Sequence, residues 1–160
     1  RHPTTQVLSL NTGHDRDYSE GAAYDQYFAT DNLMFPVPIT DNRLKNKAEV
    51  LIIRAPDYQQ DPLAISINHL KKKKWLQGVI GSTNFVVITD KTGATRAFDL
   101  GDIKMSSYKK RRFKDSQGKI WEVTKNSITS ADNQQLKQLP SHNIFWFAWY
   151  NSTPETRLVK

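Results

Sequence analysis

The polar segment from His14 to Tyr18 combines side chains that can bind a metal ion or transfer a proton. An imidazole, two carboxylates and a guanidinium fall within five residues, and such groups serve as metal ligands and as general acids or bases. Asp15 and Asp17 point the same way only where the chain is extended. The segment predicts a ligand-binding site that includes two nearby tyrosines, with the members His14, Asp15, Arg16, Asp17, Tyr18, Tyr24 and Tyr27.

A structural role is the alternative for the same segment. Arg16 can pair with a neighbouring carboxylate and tie the loop to the core, and a metal site needs a second ligand-bearing segment brought near by folding. The four histidines, at positions 2, 14, 69 and 142, show neither HExxH nor an i, i+4 pairing. The sequence also lacks a GxSxG elbow and glycine-rich phosphate loops. We therefore predict no catalytic residue, no metal and no cofactor.

Two clusters of basic residues can attract anions. Residues 1–62 hold six Lys and Arg against nine Asp and Glu, whereas residues 63–160 hold seventeen against seven, so the positive charge is regional. A positive field of this kind attracts phosphates, acidic polymers or anionic lipid heads, although a lysine run is also typical of a solvated edge or loop. The predicted anion-binding residues are Lys71, Lys72, Lys73, Lys74, Lys109, Lys110, Arg111 and Arg112.

Aromatic residues adjoin both basic clusters. Trp75 follows the first, and Tyr108 and Phe113 bracket the second, an arrangement that can track a phosphate backbone and stack bases. Trp75 and Phe113 stand at the ends of predicted strands, where they are expected to face the core. Nucleic acid is therefore not the expected partner.

The composition excludes several classes of protein. The chain has no cysteine, so disulfides, thiolate zinc sites, iron–sulfur clusters and a cysteine nucleophile are excluded. It has no apolar stretch near the roughly 18 residues of a membrane span, and no signal segment at Arg1. A chain of 160 residues is long enough to form one core without such covalent or metal cross-links.

Apolar runs separated by turn residues predict a mainly β fold with a minor helical part. Strands are expected at Val7–Leu10, Val50–Arg54, Leu63–Ile67, Trp75–Ile80, Phe85–Thr89, Ala94–Phe98, Tyr108–Phe113, Lys119–Val123 and Thr156–Val159. We expect an antiparallel twisted sheet or a small barrel with two short helices. The first helix lies within Ser19–Thr30 and carries its aromatic residues inward, and the extended segment Leu33–Ile39 anchors its apolar side chains on the body.

The second helix is predicted over His142–Tyr150. Pro140 and Ser141 supply a stop and a cap, and aromatic residues occupy nearly all of the helix circumference. A central strand buried on both faces is the alternative, because a short apolar run is ambiguous in period.

The domain organisation follows from a short echo between the two ends of the chain. Pro3-Thr4-Thr5 and Pro154-Glu155-Thr156 share a Pro-x-Thr pattern, which suggests repeat units. We expect a single domain over 1–160, in which 1–10 is the tail of an upstream repeat unit. The acidic and aromatic segment 11–40 is expected to wrap the β core 48–160.

The order and spacing of several short motifs resemble one known family. They are His2-Pro3-x-Thr5-x-Val7-Leu8-Ser9, Thr12-Gly13-x-x-Arg16-Asp17-Tyr18, Tyr24-x-x-Tyr27, Phe35-Pro36, Asp41-x-Arg43-Leu44-x-x-Lys47-x-x-Val50, Trp121, Leu136-x-x-Leu139-Pro140, Phe145-Trp146-Phe147-Ala148-Trp149 and Pro154-x-Thr156. With them the chain resembles the C-terminal half of domain-of-unknown-function family 3179, uncharacterised proteins of bacteria and archaea.

The resemblance carries no catalytic or metal role onto this chain. Ile52 stands where the family tends to have glycine, Ala64-Ile65-Ser66 stands where it tends to have Ala-Tyr-Pro, and the Cys-, His- and Glu-bearing segment of the other half is absent. Family members are often exported, which implies a periplasmic or otherwise exported protein, with the cytoplasm as the alternative.

These observations predict a non-catalytic binding or interaction module of an exported bacterial protein. The first alternative is part of an enzyme whose site is shared with an upstream half of the same protein. The second is a binder of phosphate polymers, nucleic acid or acidic polysaccharide, through the basic clusters.

Overall fold

The computed structural model describes residues 4–6, 9, 11–19 and 21–160, and the chain divides into two compact units, residues 1–36 and 37–160. Val7, Leu8 and Leu10, three of the four residues of the first expected strand, lie outside the described residues. That strand therefore stays a prediction, and so does the tail of a repeat unit to which it was assigned.

In the first unit the predicted helix is present, but its aromatic side chains do not form a core. A single 3₁₀ turn at Ala22–Tyr24 leads into α1 (Asp25–Ala29), and neither contains a buried residue. Tyr24 is 58% exposed and Phe28 is 54% exposed, so the expectation of inward aromatics is wrong. The rings contact one another instead, with 5.4 Å between the centroids of Tyr27 and Phe28. Met34 and Phe35 of the predicted extended segment are 72% and 56% exposed, and the anchoring of that segment stays a prediction.

The second unit contains three sheets and two further helices. Strands make up 35% of the chain and helices 14%, so the predicted mainly β class is confirmed. The helices are α2 (Ile67–Lys73) and α3 (Trp146–Ser152). The strands are β1 (Glu49–Ile53), β2 (Leu63–Ser66), β3 (Trp75–Ile80), β4 (Thr83–Thr89), β5 (Thr95–Asp99), β6 (Met105–Lys109), β7 (Arg112–Asp115), β8 (Ile120–Val123), β9 (Ile128–Ser130), β10 (Gln138–Leu139), β11 (Ser141–Phe145) and β12 (Arg157–Val159).

The three sheets have four strands each. The first has the order β11-β1-β2-β12, the second β10-β5-β4-β3 and the third β6-β7-β8-β9. All neighbours are antiparallel except β12, which runs parallel to β2. The hairpins predicted at β1–β2 and β4–β5 are confirmed.

The second sheet is the middle layer of this unit, because both of its faces are buried. Phe85 and Val87 on one face pack in a core with β1, β2 and α2. Val86 and Ile88 on the other face pack in a core with Phe113 and the other buried side chains of the third sheet. Alternating side chains of one strand therefore enter two cores, which explains why residues 85–88 read as one continuous apolar run.

The outer face of the first sheet is covered by α3. Trp146 and Trp149 of α3 pack on Val50, Ile52 and Ala64 of β1 and β2. Each buried side chain of this size contributes about 1.5 to 3 kcal/mol by leaving water. The expectation that the aromatic residues of this helix are buried is met by these two tryptophans, which are 1% and 8% exposed.

The bounds predicted for this helix are wrong in their first half. Ser141–Phe145 forms β11, which pairs with β1 and places His142 opposite Ile52. The helix begins only at Trp146 and ends at Ser152. Hydrogen bonding along the edge of a sheet has overridden the local helical pattern. The alternative of a central strand buried on both faces is also wrong, because β11 is an edge strand and none of its residues is fully buried.

Two further elements differ from the sequence-based expectation. The predicted strand Tyr108–Phe113 is interrupted by a two-residue turn at Lys110 and Arg111, which separates β6 from β7. The helix α2 was not predicted, because its short apolar pattern, with Ile67 and Leu70 buried, continues the preceding strand. Both differences concern the basic clusters, which lie on a helix end and on a hairpin turn.

Candidate anion-binding site

The first basic cluster forms the C-terminal end of α2. Lys71, Lys72 and Lys73 occupy the last turn, and Lys74 follows with a left-handed backbone and donates its N–H to the Leu70 carbonyl. All four lysine side chains are exposed. They complement the partial negative charge of the helix C-terminus, which explains why cations are stable at this position.

The second basic cluster forms the turn between β6 and β7. Lys109 pairs with Arg112 across the hairpin, and the two turn residues, Lys110 and Arg111, have φ angles of 48° and 62°. The Arg111 Nε donates to the Val123 carbonyl over 3.1 Å, which fixes the direction of this guanidinium.

The fold brings the two clusters to the same end of the second unit. The Trp75 ring, directly after the first cluster, meets the Phe113 ring of β7 edge-on, with centroids 5.4 Å apart. Phe113 lies opposite Tyr108, the neighbour of Lys109. Residues that are about 40 positions apart in the sequence are therefore held together by one aromatic contact.

Two more turns meet at this end. The Lys71 side chain lies against the β4–β5 turn, where its Cε is 3.1 Å from the position of a β-carbon on Gly93, and that turn carries Lys91. From β5, Arg96 donates to the carbonyl of Lys125 in the β8–β9 turn. We call the resulting set the basic rim, and its members are Lys71, Lys72, Lys73, Lys74, Lys91, Lys109, Lys110, Arg111, Arg112 and Lys125.

The carboxylates beside the basic rim leave most of its charge uncompensated. Asp90 pairs with Arg96, and hydrogen bonds from Thr92 and from the backbone of the turn hold the pKa of Asp90 below its usual value. Glu122 pairs with Arg112 at 2.8 Å. The lysines of the rim form no ion pair with any residue that the structure describes. The rim therefore presents a positive field to anions.

The aromatic residues beside the basic rim are held in the core. Phe113 is buried, and its ring contacts both Trp75 and Tyr108, the latter with 4.5 Å between centroids. Trp75 and Tyr108 are half-buried in the same core. Each of these rings contacts another ring and lies at least partly in the core, so none of the three is fully exposed for a base to stack on.

The acidic segment of the first unit is exposed and ordered by its own hydrogen bonds. Asp17 accepts from the Ser19 backbone, and hydrogen bonds from Ser19 lower the pKa of Asp17. Tyr18 accepts a hydrogen bond from Thr12 over 2.9 Å, and Arg16 donates its backbone N–H to His14. The predicted ion pair of Arg16 is not formed with any described residue.

These contacts do not assemble a metal or acid–base centre from the acidic segment. Among residues 4–6, 9, 11–19 and 21–160, no group of three His, Asp or Glu side chains could hold a metal ion. Tyr24 and Tyr27 line a cavity of about 420 Å³ on the first unit, together with Met34 and neighbouring helical residues. The ligand-binding role of the segment stays a prediction.

Arg43 is the centre of a cluster whose role the sequence does not indicate. Its guanidinium lies over the rings of Trp146 and Tyr150, at 5.1 and 5.2 Å from their centroids. It also pairs with Asp41 and donates to the Thr156 carbonyl. Burial favours protonation of Asp41, but hydrogen bonds from Arg43 and Trp146 outweigh it and lower the pKa of this carboxyl.

The Arg43 cluster gives a physical meaning to three of the motifs that carried the family resemblance. The Asp41-x-Arg43 motif, the aromatic run of α3 and the Pro-x-Thr motif meet in it, and Trp149 donates to the Thr156 hydroxyl over 3.0 Å. Its polar groups satisfy one another, so the cluster ties the chain ends of the second unit to the first sheet.

A cleft of about 380 Å³ is lined by residues of β3, by Asn84 of β4 and by the segment 100–104 before β6. The Gln77 amide closes one side of it by bonding both the N–H and the carbonyl of Met105 at 3.0 Å. Asp102 and Lys104 also line the cleft.

The described part of the chain contains no helix long and apolar enough to cross a membrane.

Fold and site together define a mainly β protein whose second unit has three sheets and a rim of basic residues. The family model described as a protein of unknown function, DUF3179, matches residues 1–156, and the chain belongs to this family. No curated protein and no solved structure matches the chain. The family resemblance is thereby confirmed, whereas the assignment to the C-terminal half of longer members stays a prediction. The function has to be argued from the site.

Proposed function

We propose that this chain is a non-catalytic binding module whose ligand is a linear polymer bearing phosphate or sulfate groups. The observation that carries the proposal is the convergence of two separate basic clusters on the basic rim, joined by the contact between Trp75 and Phe113. Lysine and arginine side chains that only keep a surface soluble need not lie close together, whereas those of the basic rim come together from four separate segments of the chain. A polymer with many charges can contact all of them at once and release its bound counterions.

The polymer is recognised by its charges and not by bases. Trp75 and Tyr108 each contact the Phe113 ring and are partly buried, so we expect base stacking to add little to the affinity. The terminal nitrogens of Arg111 and the exposed lysines supply donors that match phosphate and sulfate oxygens. Acidic polysaccharide and nucleic acid share this chemistry, and direct comparison separates them.

The test measures binding to heparin, long-chain polyphosphate, duplex DNA and single-stranded DNA at several salt concentrations. We expect the affinity to fall steeply with salt, since each phosphate contact contributes about 0.9 to the logarithmic slope for duplex DNA. Single strands with and without bases should bind equally. Preference for strands with bases would contradict recognition by charge alone, and negligible binding of all four polymers would contradict the proposed function.

A matched pair of variants locates the site. Lys72→Glu with Lys109→Glu reverses two charges of the basic rim, and Lys104→Glu with Lys137→Glu reverses two charges elsewhere. Lys104 precedes β6 and lies about 15 Å from the rim at about 3.3 Å per residue, and Lys137 bonds to the far end of β5. We expect at least about a tenfold loss for the rim variant and less than about twofold for the control. Equal losses would show that net charge alone is responsible.

We also propose that this module acts in the periplasm or otherwise outside the bacterial cytoplasm. The resemblance to a family whose members are often exported supports this location, and a chain without cysteine is compatible with it. Fractionation of cells that produce the protein from its natural gene tests the proposal. Recovery with a periplasmic marker is expected, and recovery with a cytoplasmic marker would contradict it.

A further inference from the structure

The backbone conformation of three rim residues suggests which of the charges contact the polymer. Four residues other than glycine have a positive φ in the described part of the chain, and three of them are Lys74, Lys110 and Arg111 of the basic rim. The fourth is Asn133, a residue type that adopts this left-handed conformation readily. Side chains with a β-carbon are otherwise strained there.

The other turns of the second unit use the residue types that this conformation favours. Gly93 and Gly118 occupy the positive-φ positions of the β4–β5 and β7–β8 turns, with φ of 88° and 89°. Glycine is also common directly after a helix, where Lys74 stands, and Asn-Gly is common in a two-residue hairpin turn, where Lys110 and Arg111 stand. Only at the rim does the described part of the chain place long cationic side chains in such positions.

We infer that Lys74, Lys110 and Arg111 are the principal polymer-contacting residues, kept at these turns for their charge although glycine or asparagine would stabilise the fold. Strained backbone positions are often found at functional sites, and the tip of a turn projects farther than the strands beside it. The side chain of Arg111 is directed by its bond to Val123, which leaves its two terminal nitrogens without a partner among the described residues. This inference rests on the proposed function and adds the contacting residues to it.

The test replaces the turn by its unstrained equivalent. The variant Lys110→Asn with Arg111→Gly keeps the left-handed turn and removes two charges. Its control, Lys72→Gln with Lys109→Gln, removes two rim charges at residues outside the positive-φ set. The unchanged chain and both variants are compared by thermal unfolding and by heparin binding at several salt concentrations.

The two measurements should move in opposite directions for the turn variant. We expect the Tm to rise by about 2 to 4 °C, as for a moderate stabilisation of a chain of this size. We expect the salt slope of binding to fall by about 2, or about 1 for each of the two cations removed. Measured at about 0.5 M sodium chloride, where screening removes the repulsion within the rim, the control should keep its Tm. Its salt slope should fall by less than about 1. Lys74→Gly is an independent variant that should behave like the turn variant, with about half its loss in slope.

The outcomes separate this inference from the proposed function. A turn variant that binds as tightly as the unchanged chain, that loses no more than its control, or that gains no thermal stability would overturn the inference alone. If the unchanged chain binds no polyanion, the proposed function fails and the inference fails with it. Lys110→Arg keeps the charge and the strain, so it should keep both the affinity and the Tm of the unchanged chain.

Discussion

Asp115 shows how a single buried residue can be essential to a turn. It is 6% exposed, and it accepts hydrogen bonds from the backbone of Gln117 and Lys119 at 2.9 Å and from the Trp121 Nε1 at 3.0 Å. Ile120 and Trp121 are neighbours in the predicted strand Lys119–Val123, so the sequence requires them to point in opposite directions, and in the structure Trp121 is buried and Ile120 is exposed. The sequence could not predict that the carboxylate also binds the indole, because that contact depends on how the strands are paired.

We therefore expect Asp115→Ala to lower the free energy of unfolding by about 2 to 3 kcal/mol. The substitution leaves the buried indole N–H and two turn amides without an acceptor, and unpaired buried donors cost about 1 to 3 kcal/mol. Urea unfolding measures the loss. Asp102→Ala removes an exposed carboxylate and should have an effect below about 0.5 kcal/mol. A similar effect of the two substitutions would contradict the structural role of Asp115.

The same carboxyl should make stability depend on acid pH. Burial raises the pKa of Asp115, but hydrogen bonds from Trp121, Lys119 and Gln117 outweigh burial and hold it below the ordinary value of 3.8. Because the folded pKa is lowered, the stabilisation is fully present above pH 3.8 and is lost as the pH falls through the folded pKa. The difference in unfolding free energy between the unchanged chain and Asp115→Ala should shrink below pH 3.8. A difference that stays constant down to about pH 2 would contradict this assignment.

At the scale of elements, the sequence predicts a strand well where the residue pattern of the segment itself favours a strand. It predicts a strand poorly where the segment becomes one only because a neighbouring strand pairs with it. The run Phe85–Thr89 is a strand as predicted, since its β-branched residues suit a sheet buried on both faces. Ser141–Phe145 became an edge strand only because β1 offers it a partner. The turn at Lys110 and Arg111 escaped prediction because its residues are not the usual turn formers. Convergence of distant segments, as around Arg43, is beyond any local pattern.

From the contacts of the Arg43 cluster we predict that the stability of the second unit depends in part on the Arg43 guanidinium. Arg43→Ala removes the contact with two rings and with the Thr156 carbonyl. Because the side chain is 39% exposed, we expect a loss of only about 1 to 2 kcal/mol in unfolding free energy. Arg43→Lys keeps the charge but not the planar stacking, so it should recover less than half of the loss. Full recovery with lysine in urea unfolding would show that charge, not stacking, is what matters.

At the scale of the whole molecule, the basic rim is a product of topology. The sequence identifies both basic clusters, but their joining depends on three sheets stacking so that the start of β3 meets β7. Gathering like charges creates repulsion within the basic rim of the free protein. In each ion pair between described residues at least one side chain is 37% exposed or more, so these pairs contribute little attraction for salt to weaken. Added salt should therefore stabilise the free protein, because it screens this repulsion more than it weakens the ion pairs.

We expect the Tm of the free protein to rise when sodium chloride is increased from about 0.01 M to about 0.5 M, as the Debye length falls from about 30 Å to about 4 Å. Lys72→Glu with Lys109→Glu relieves the repulsion, so this variant should exceed the unchanged chain in Tm at low salt and equal it at high salt. Lys104→Glu with Lys137→Glu has the same net charge and should gain much less, because those lysines lie away from the basic rim. An advantage of the rim variant that persisted at about 0.5 M would point to a change in local folding and contradict the electrostatic account, since screening removes only interactions between charges.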